Sequence, residues 1–116
     1  MAKTILIIDD DPVVVKYLVA LFKNNGYETI TAGTGLEGEQ VLKSVTPDLI
    51  TLDLEMPEEW GSRFYRKISK EDRLKEIPVI VISGMAGRHA IKKAVAYLPK
   101  PFDADKLLGI VKKTIG

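Results

Sequence analysis

Cysteine is absent from the 116-residue chain, which excludes a disulfide framework, a thiolate nucleophile and any zinc site built on sulfur. A single histidine, His89, has no partner nearby in sequence; it is expected to be an exposed residue, neither a phosphohistidine nor a metal ligand. Long apolar runs are lacking too: stretches such as Ile5–Ile8 and Val79–Ile82 hold four residues each, against the roughly 20 that cross a bilayer. The apolar run after Lys3 ends in Asp9, Asp10 and Asp11, which a secretory signal would not tolerate, so a cytoplasmic location without a membrane partner is expected. Charge of one sign is also missing. Seventeen Lys and Arg stand against 16 Asp and Glu, a net charge of +1, so no overall field draws the chain to nucleic acid or to an anionic membrane. Arg63, Arg66, Lys67, Arg88, Lys92 and Lys93 carry no interleaved aromatics or recognition-helix pattern, and read as solvated helix faces; no direct nucleic-acid binding is expected.

What remains is an ordinary globular composition, 46% hydrophobic and 28% charged, at a length that makes one domain over residues 1–116. Thr4 to Ile8 is a short β-branched run stopped by acid, which predicts a strand buried on both faces. Asp11 can cap a helix with Pro12 at its first position, and apolar residues recur at helical spacing from Val14 to Phe22 until Asn25 and Gly26 stop them. Tyr27 to Thr31 predicts a second strand; Thr34 with Glu37 makes a capping box for a helix through Leu42 to about Val45. Leu49 to Leu54 predicts a third strand, followed by a helix from about Glu59 to Ser69. A fourth strand at Val79–Ile82, a short fourth helix near Gly87–Val95, a fifth strand at Ala96–Leu98 and a last helix capped by Asp103 complete the pattern. Strict alternation with nearly continuous apolar strands implies an α/β doubly wound parallel sheet with five helices covering its faces. In such sheets ligands bind beyond the carboxyl ends of the strands.

Those ends carry Asp9, Asp10 and Asp11 after the first strand, Asp53 after the third, Ser83 after the fourth and Lys100 after the fifth. Crowded carboxylates repel unless a cation neutralises them, and an all-oxygen set suits Mg²⁺. For Asp11 the helix cap is the better reading. Asp53, beside a metal, an ammonium and a hydroxyl, is equipped to attack a phosphoryl group and form an acyl phosphate. Lys100 and Ser83 would then hold the phosphoryl oxygens. Taken singly, Lys100 reads better as a solvated loop lysine and Ser83 as a strand-end turn residue; together, at four successive strand ends, they read as one site.

Four segments carry a family resemblance: Ile5 to Pro12 with its Asp9-Asp10-Asp11, Pro47 to Pro57 with Asp53 and then Gly61, Ile77 to Gly84 with Ser83, and Tyr97-Leu98-Pro99-Lys100-Pro101-Phe102. In their order and placement the chain resembles the receiver domains of bacterial two-component response regulators, in particular the chemotaxis-regulator type, over essentially its whole length. The resemblance implies the flavodoxin-like strand order 2-1-3-4-5 and a phosphorelay switch. It implies Asp53 as phosphoacceptor, and Mg²⁺ held by Asp10, Asp53 and the main-chain carbonyl of Glu55, with Asp9 acting through water. It implies Ser83 as the switch hydroxyl, Lys100 as the phosphate-binding lysine and Tyr97 as the aromatic whose rotamer answers to phosphorylation, although by its residue type alone Tyr97 is plain packing. The implied partner is a histidine kinase or phosphotransfer protein, with the face of the fourth helix, fifth strand and fifth helix turned to an output partner that the sequence does not name.

Only 16 residues separate Ser83 from Lys100, fewer than receivers usually have, so a shortened fourth helix is expected. Trp60 stands where the family often has Asp before Gly61, and is expected to be a partly exposed anchor without an assigned role. The alternative function is a receiver-like interaction module that is not phosphorylated; retention of Asp10, Asp53, Ser83 and Lys100 argues against it. An enzyme of the same fold is disfavoured: a phosphohydrolase wants Asp where Glu55 stands, and a flavin carrier wants a phosphate-cradling loop where three Asp stand. The expectation is a signalling domain that at most catalyses its own phosphorylation and dephosphorylation.

Overall fold

A computed structural model of the chain describes residues 2–54, 60–84 and 94–116, with the backbone alone for residues 60–62. Five strands, β1 (Thr4–Ile8), β2 (Glu28–Ala32), β3 (Leu49–Leu52), β4 (Val79–Ser83) and β5 (Ala96–Pro99), form one sheet in the order β2-β1-β3-β4-β5. All four pairings are parallel, with Ile8 opposite both Ala32 and Leu52, and Ser83 opposite Pro99. The strand order implied by the resemblance is the one observed. Four helices are described: α1 (Pro12–Lys23), α2 (Gly35–Leu42), α3 (Trp60–Ile68) and α4 (Ala104–Ile115). The helix expected at 87–95 falls almost wholly on residues 85–93, outside the described residues, as do Glu55 and His89.

Alternation along each strand splits the apolar residues between two cores. Ile5, Ile7, Leu49, Ile80, Ile82 and Leu98 lie under Leu18 and Phe22 of α1 and Leu107 and Val111 of α4. Leu6, Ile8, Ile50, Leu52, Val79 and Val81 lie under Leu42 of α2, Phe64 and Ile68 of α3, and Leu74 in the turns that follow. Continuous apolar strands are what a sheet covered on both faces demands, because every side chain, up or down, meets a helix. The approach of α2 is close: a Cβ on Gly38 would lie 2.9 Å from Cδ1 of Ile8 and 3.0 Å from Cε1 of Phe64.

The caps are where the sequence places them. The Asp11 carboxylate accepts from the Val13 N–H at 2.9 Å, and Asp103 accepts from Asp105 and Lys106 at 2.9 and 3.2 Å. Thr34 accepts from the Glu37 N–H at 3.0 Å, but Glu37 reaches back to the Gly33 N–H, one residue before the usual capping-box donor. Helix α2 ends at Leu42 and not near Val45, because the N–H groups of Lys43 and Ser44 turn to carbonyls three residues back and tighten the last turn. Tyr27 stays outside β2: its N–H closes the end of α1 on the Phe22 carbonyl, around Gly26 at φ +89°. Strand β3 stops at Leu52, since β1 beside it ends at Ile8. Pro99, which has no N–H to donate, is tolerated because β5 is an edge strand.

Candidate functional site

The strand ends build the site through backbone bonds that continue the ladder one residue beyond each pairing. The Asp9 N–H donates to the Ala32 carbonyl at 3.1 Å, the Asp53 N–H to the Ile8 carbonyl at 3.0 Å, and the Lys100 N–H to the Ser83 carbonyl at 3.2 Å. Asp9, Asp53 and Lys100 are thereby fixed to the sheet and do not ride on free loops. Their position is the topological switch point, where β1 lies between β2 and β3 and the chain leaves the sheet toward opposite faces.

Asp9, Asp53 and Ser83 are buried, at 3%, 2% and 4% exposure, while Asp10 is open to solvent. One carboxylate oxygen from each of Asp9, Asp10 and Asp53 lies within 4.8 Å of the others. At that separation and an effective dielectric near 20, the buried Asp9–Asp53 pair costs at least about 3.5 kcal/mol, and water screens the pairs that involve exposed Asp10. Lys100 offsets part of this. Its Nζ donates to Asp9 Oδ2 at 2.8 Å and stands 3.5 Å from Asp53 Oδ2. Burial pulls the Lys100 pKa down, but the hydrogen bond and charge of Asp9, with the charge of Asp53, outweigh it and leave the ammonium raised above 10.5. The other Asp9 oxygen, Oδ1, accepts the Asp11 N–H at 2.9 Å. Counted formally, three carboxylates against one ammonium leave two negative charges, which is the electrostatic demand of a divalent cation held by hard oxygen donors.

A model of the family described as "Response regulator receiver domain" matches residues 5–112. The chain belongs to this receiver-domain family. Its relatives include Protein Rrf1 of Nitratidesulfovibrio vulgaris, 33% identical over 99% of this chain and 84% of that protein. The polar-differentiation response regulator DivK of Brucella anthropi is 29% identical, covering 100% of this chain and 98% of that protein. Among solved structures, the signal receiver domain of a histidine kinase from Syntrophus aciditrophicus matches with a TM-score of 0.88 at 28% identity, over 98% of this chain and 90% of that one. The receiver domain of a sensor histidine kinase from Pseudomonas aeruginosa, with magnesium coordinated in its active-site cleft, matches with a TM-score of 0.89 at 23% identity, over 100% and 99%. At that identity the likeness of the second is one of fold.

Within this receiver domain the sheet brings together Asp9, Asp10, Asp53 and Lys100, as the strand-end rule requires. Ser83 closes β4 on the next strand over from Asp53. Tyr97 is half-buried on β5 opposite Val81 and packs against the core under α2 and α3. Asp11 is a cap, as read from its place before Pro12. Glu55 lies outside the described residues, as does the side chain of Trp60. Sequence reasoning missed that the nearest partner of Lys100 is Asp9, 91 positions away, because no spacing rule carries such a contact. It also missed Asp48, whose carboxylate accepts the Thr4 N–H at 2.7 Å and pins the start of β1 to the turn before β3. Arg73 was likewise unread: it binds the Thr46 hydroxyl and the Leu42 carbonyl, closing the end of α2.

Proposed function

We propose that the chain is a phosphorylation-dependent switch of a two-component phosphorelay, one receiver domain over residues 1–116 that takes a phosphoryl group on Asp53. The observation that carries this reading is the single ammonium of Lys100 set between buried Asp9 and Asp53, 2.8 and 3.5 Å away, in a cluster that still has carboxylate charge to spare. Asp10, Asp53 and the main-chain carbonyl of Glu55 would hold Mg²⁺, with Asp9 through water, and the magnesium of the Pseudomonas receiver domain supports that choice. When bound, Mg²⁺ supplies positive charge to the phosphoryl oxygens.

A carboxylate oxygen of Asp53 attacks phosphorus, the P–N bond of a donor phosphohistidine breaks, and its electron pair returns to the imidazole. Lys100 moves its hydrogen bonding from the carboxylates to a phosphoryl oxygen, so charge that grows in transfer meets an ammonium already in place. The Ser83 hydroxyl donates to a second phosphoryl oxygen, and Tyr97 turns into the space it leaves. The reshaped face includes β5 and α4. A protein donor, a histidine kinase or phosphotransfer protein, is favoured by the surface next to Lys100. There Val13 and Tyr17 are exposed at 75% and 52%, and Tyr17 stands edge-on to Phe102 with ring centroids 5.8 Å apart.

Intact mass after incubation with acetyl phosphate, with and without Mg²⁺, tests the reading on wild type and Asp53→Asn. The expected result is a Mg²⁺-dependent, acid-stable and base-labile gain of one phosphoryl group, absent from the variant. No adduct from acetyl phosphate or from an added kinase would instead make the chain an interaction module that is not phosphorylated.

A further inference from the structure

The start of α1 and the loop after β5 enclose an open cleft of about 520 Å³ beside the acidic cluster. Among the described residues its apolar walls are Val13, Val14 and Tyr17 from α1 and Pro101 and Phe102 from the loop, with Tyr17 edge-on to Phe102. Two charged side chains line it, Asp11 and Lys100. The Asp11 carboxylate is committed to the first turn of α1, where it accepts the Val13 N–H at 2.9 Å. Lys100 turns its ammonium to Asp9 and Asp53, 2.8 and 3.5 Å away. One residue therefore belongs both to the cleft and to the phosphoacceptor site. An occupant that suits the two together has an apolar body for the walls and an anionic group for the ammonium. A phosphoryl donor whose leaving group is apolar has that form, since its anion lies at Asp53 and its remainder projects away from it.

We propose that this cleft is a leaving-group subsite, which makes acyl phosphates with an aromatic acyl group better donors to Asp53 than acetyl phosphate. The proposal rests on the receiver reading above, in which Asp53 takes a phosphoryl group. An Asp53 carboxylate oxygen attacks phosphorus, the P–O bond to the acyl oxygen breaks, and its electron pair leaves with the released carboxylate. No proton changes hands, because the nucleophile and the leaving group are both carboxylates. The acyl ring lies along Val13, Tyr17 and Phe102, and it covers apolar surface that water otherwise wets, since Val13 and Tyr17 are 75% and 52% exposed. A methyl group is too small to cover that surface, so acetyl phosphate reacts without using the cleft. The contact is the same before and during transfer; it therefore lowers KM and leaves kcat near that of acetyl phosphate. Tyr17 and Val13 are in this way residues that determine donor specificity, apart from the groups that carry out the transfer.

The test compares benzoyl phosphate with acetyl phosphate as donors, in the presence of Mg²⁺, by intact mass against time for wild type, Tyr17→Ala and Val13→Ala. Benzoate and acetate are leaving groups of similar basicity, so a difference between the donors reports contact with the protein. Wild type is expected to show kcat/KM about tenfold higher for benzoyl phosphate, the size of one partly buried ring. The ratio of the two donors is expected to fall to within about twofold of one in Tyr17→Ala, and part of the way in Val13→Ala. Phenylphosphonate, which has the ring and the anion but no phosphoryl group to give, is expected to shift the Val13 and Val14 methyl NMR signals of wild type. A ratio near one in wild type, a ratio unchanged in both variants, or unmoved methyl signals overturns this proposal alone. A wild type that gains no phosphoryl group from either donor or from an added kinase overturns the receiver reading and this proposal together.

Discussion

Lys100 is the residue on which the acidic cluster depends for its only described countercharge, and its titration has a sign that can be checked. Its folded pKa is raised above 10.5, so the stability it contributes is complete below about pH 10.5 and is lost as pH rises through the folded value. Denaturant midpoints are expected to fall above pH 10.5 more steeply in wild type than in Lys100→Met, in which the tyrosines still titrate and the ammonium does not. Equal slopes in the two proteins would show that the ammonium is not held by Asp9 and Asp53. Thr51 presents the opposite case. It lies between Ile7 and Ile80 on the face under α1 and α4, 2% exposed, and its hydroxyl has no partner among the described residues. A buried hydroxyl without a hydrogen bond costs about 1–3 kcal/mol, so Thr51→Val is expected to stabilise by about 1 kcal/mol in urea unfolding and to react with acetyl phosphate to the same extent as wild type.

At the scale of elements, Gly38 limits how near α2 comes to the sheet. An alanine there gains about 0.5–1 kcal/mol of helix propensity, but its Cβ meets Ile8 and Phe64 at 2.9 and 3.0 Å, and both side chains are fully enclosed. Overpacking of that kind costs roughly 1–3 kcal/mol, so Gly38→Ala is expected to destabilise by about 1 kcal/mol, read as a lower urea midpoint at unchanged m-value. An unchanged or higher midpoint would mean that Ile8 and Phe64 repack without strain. Nothing in sequence marks Gly38 apart from an ordinary helix glycine, because its role comes from two residues on other elements. The helix starts were legible, since Asp11, Thr34 and Asp103 act on N–H groups two or three residues away and need no tertiary context. Element ends were legible only to within a few residues. Where α2 stops depends on its last turn, and where β3 stops depends on the length of β1.

The whole molecule sets the site at one end of the sheet and exposes an apolar surface beside it, formed by Val13, Tyr17 and Phe102 next to Lys100. A donor protein that seats there loses a tyrosine contact when Tyr17 is truncated, so Tyr17→Ala is expected to slow phosphotransfer from a kinase about tenfold. Phosphorylation by acetyl phosphate, which needs no docking surface, should stay within twofold of wild type. Equal loss with both donors would place Tyr17 in the support of Lys100 and not in docking.

The sequence alone determined the class of the fold and which residues stand at the strand ends, because period, caps and strand-ending acids are local properties of the chain. Asp53, Ser83 and Lys100 could be read from sequence as one candidate site because the strand-end rule gathers them, and the structure sets Lys100 beside Asp53. Only the tertiary structure decided which charges meet. Asp9 takes Lys100 as its nearest partner because both are fixed to the sheet by bonds to neighbouring strands, Asp9 to Ala32 and Lys100 to Ser83. Tyr65 and Tyr97 pack against one core because α3 and β5 lie on the same face of the sheet. Such pairings depend on distances across the sheet, and the linear order of residues does not encode those distances.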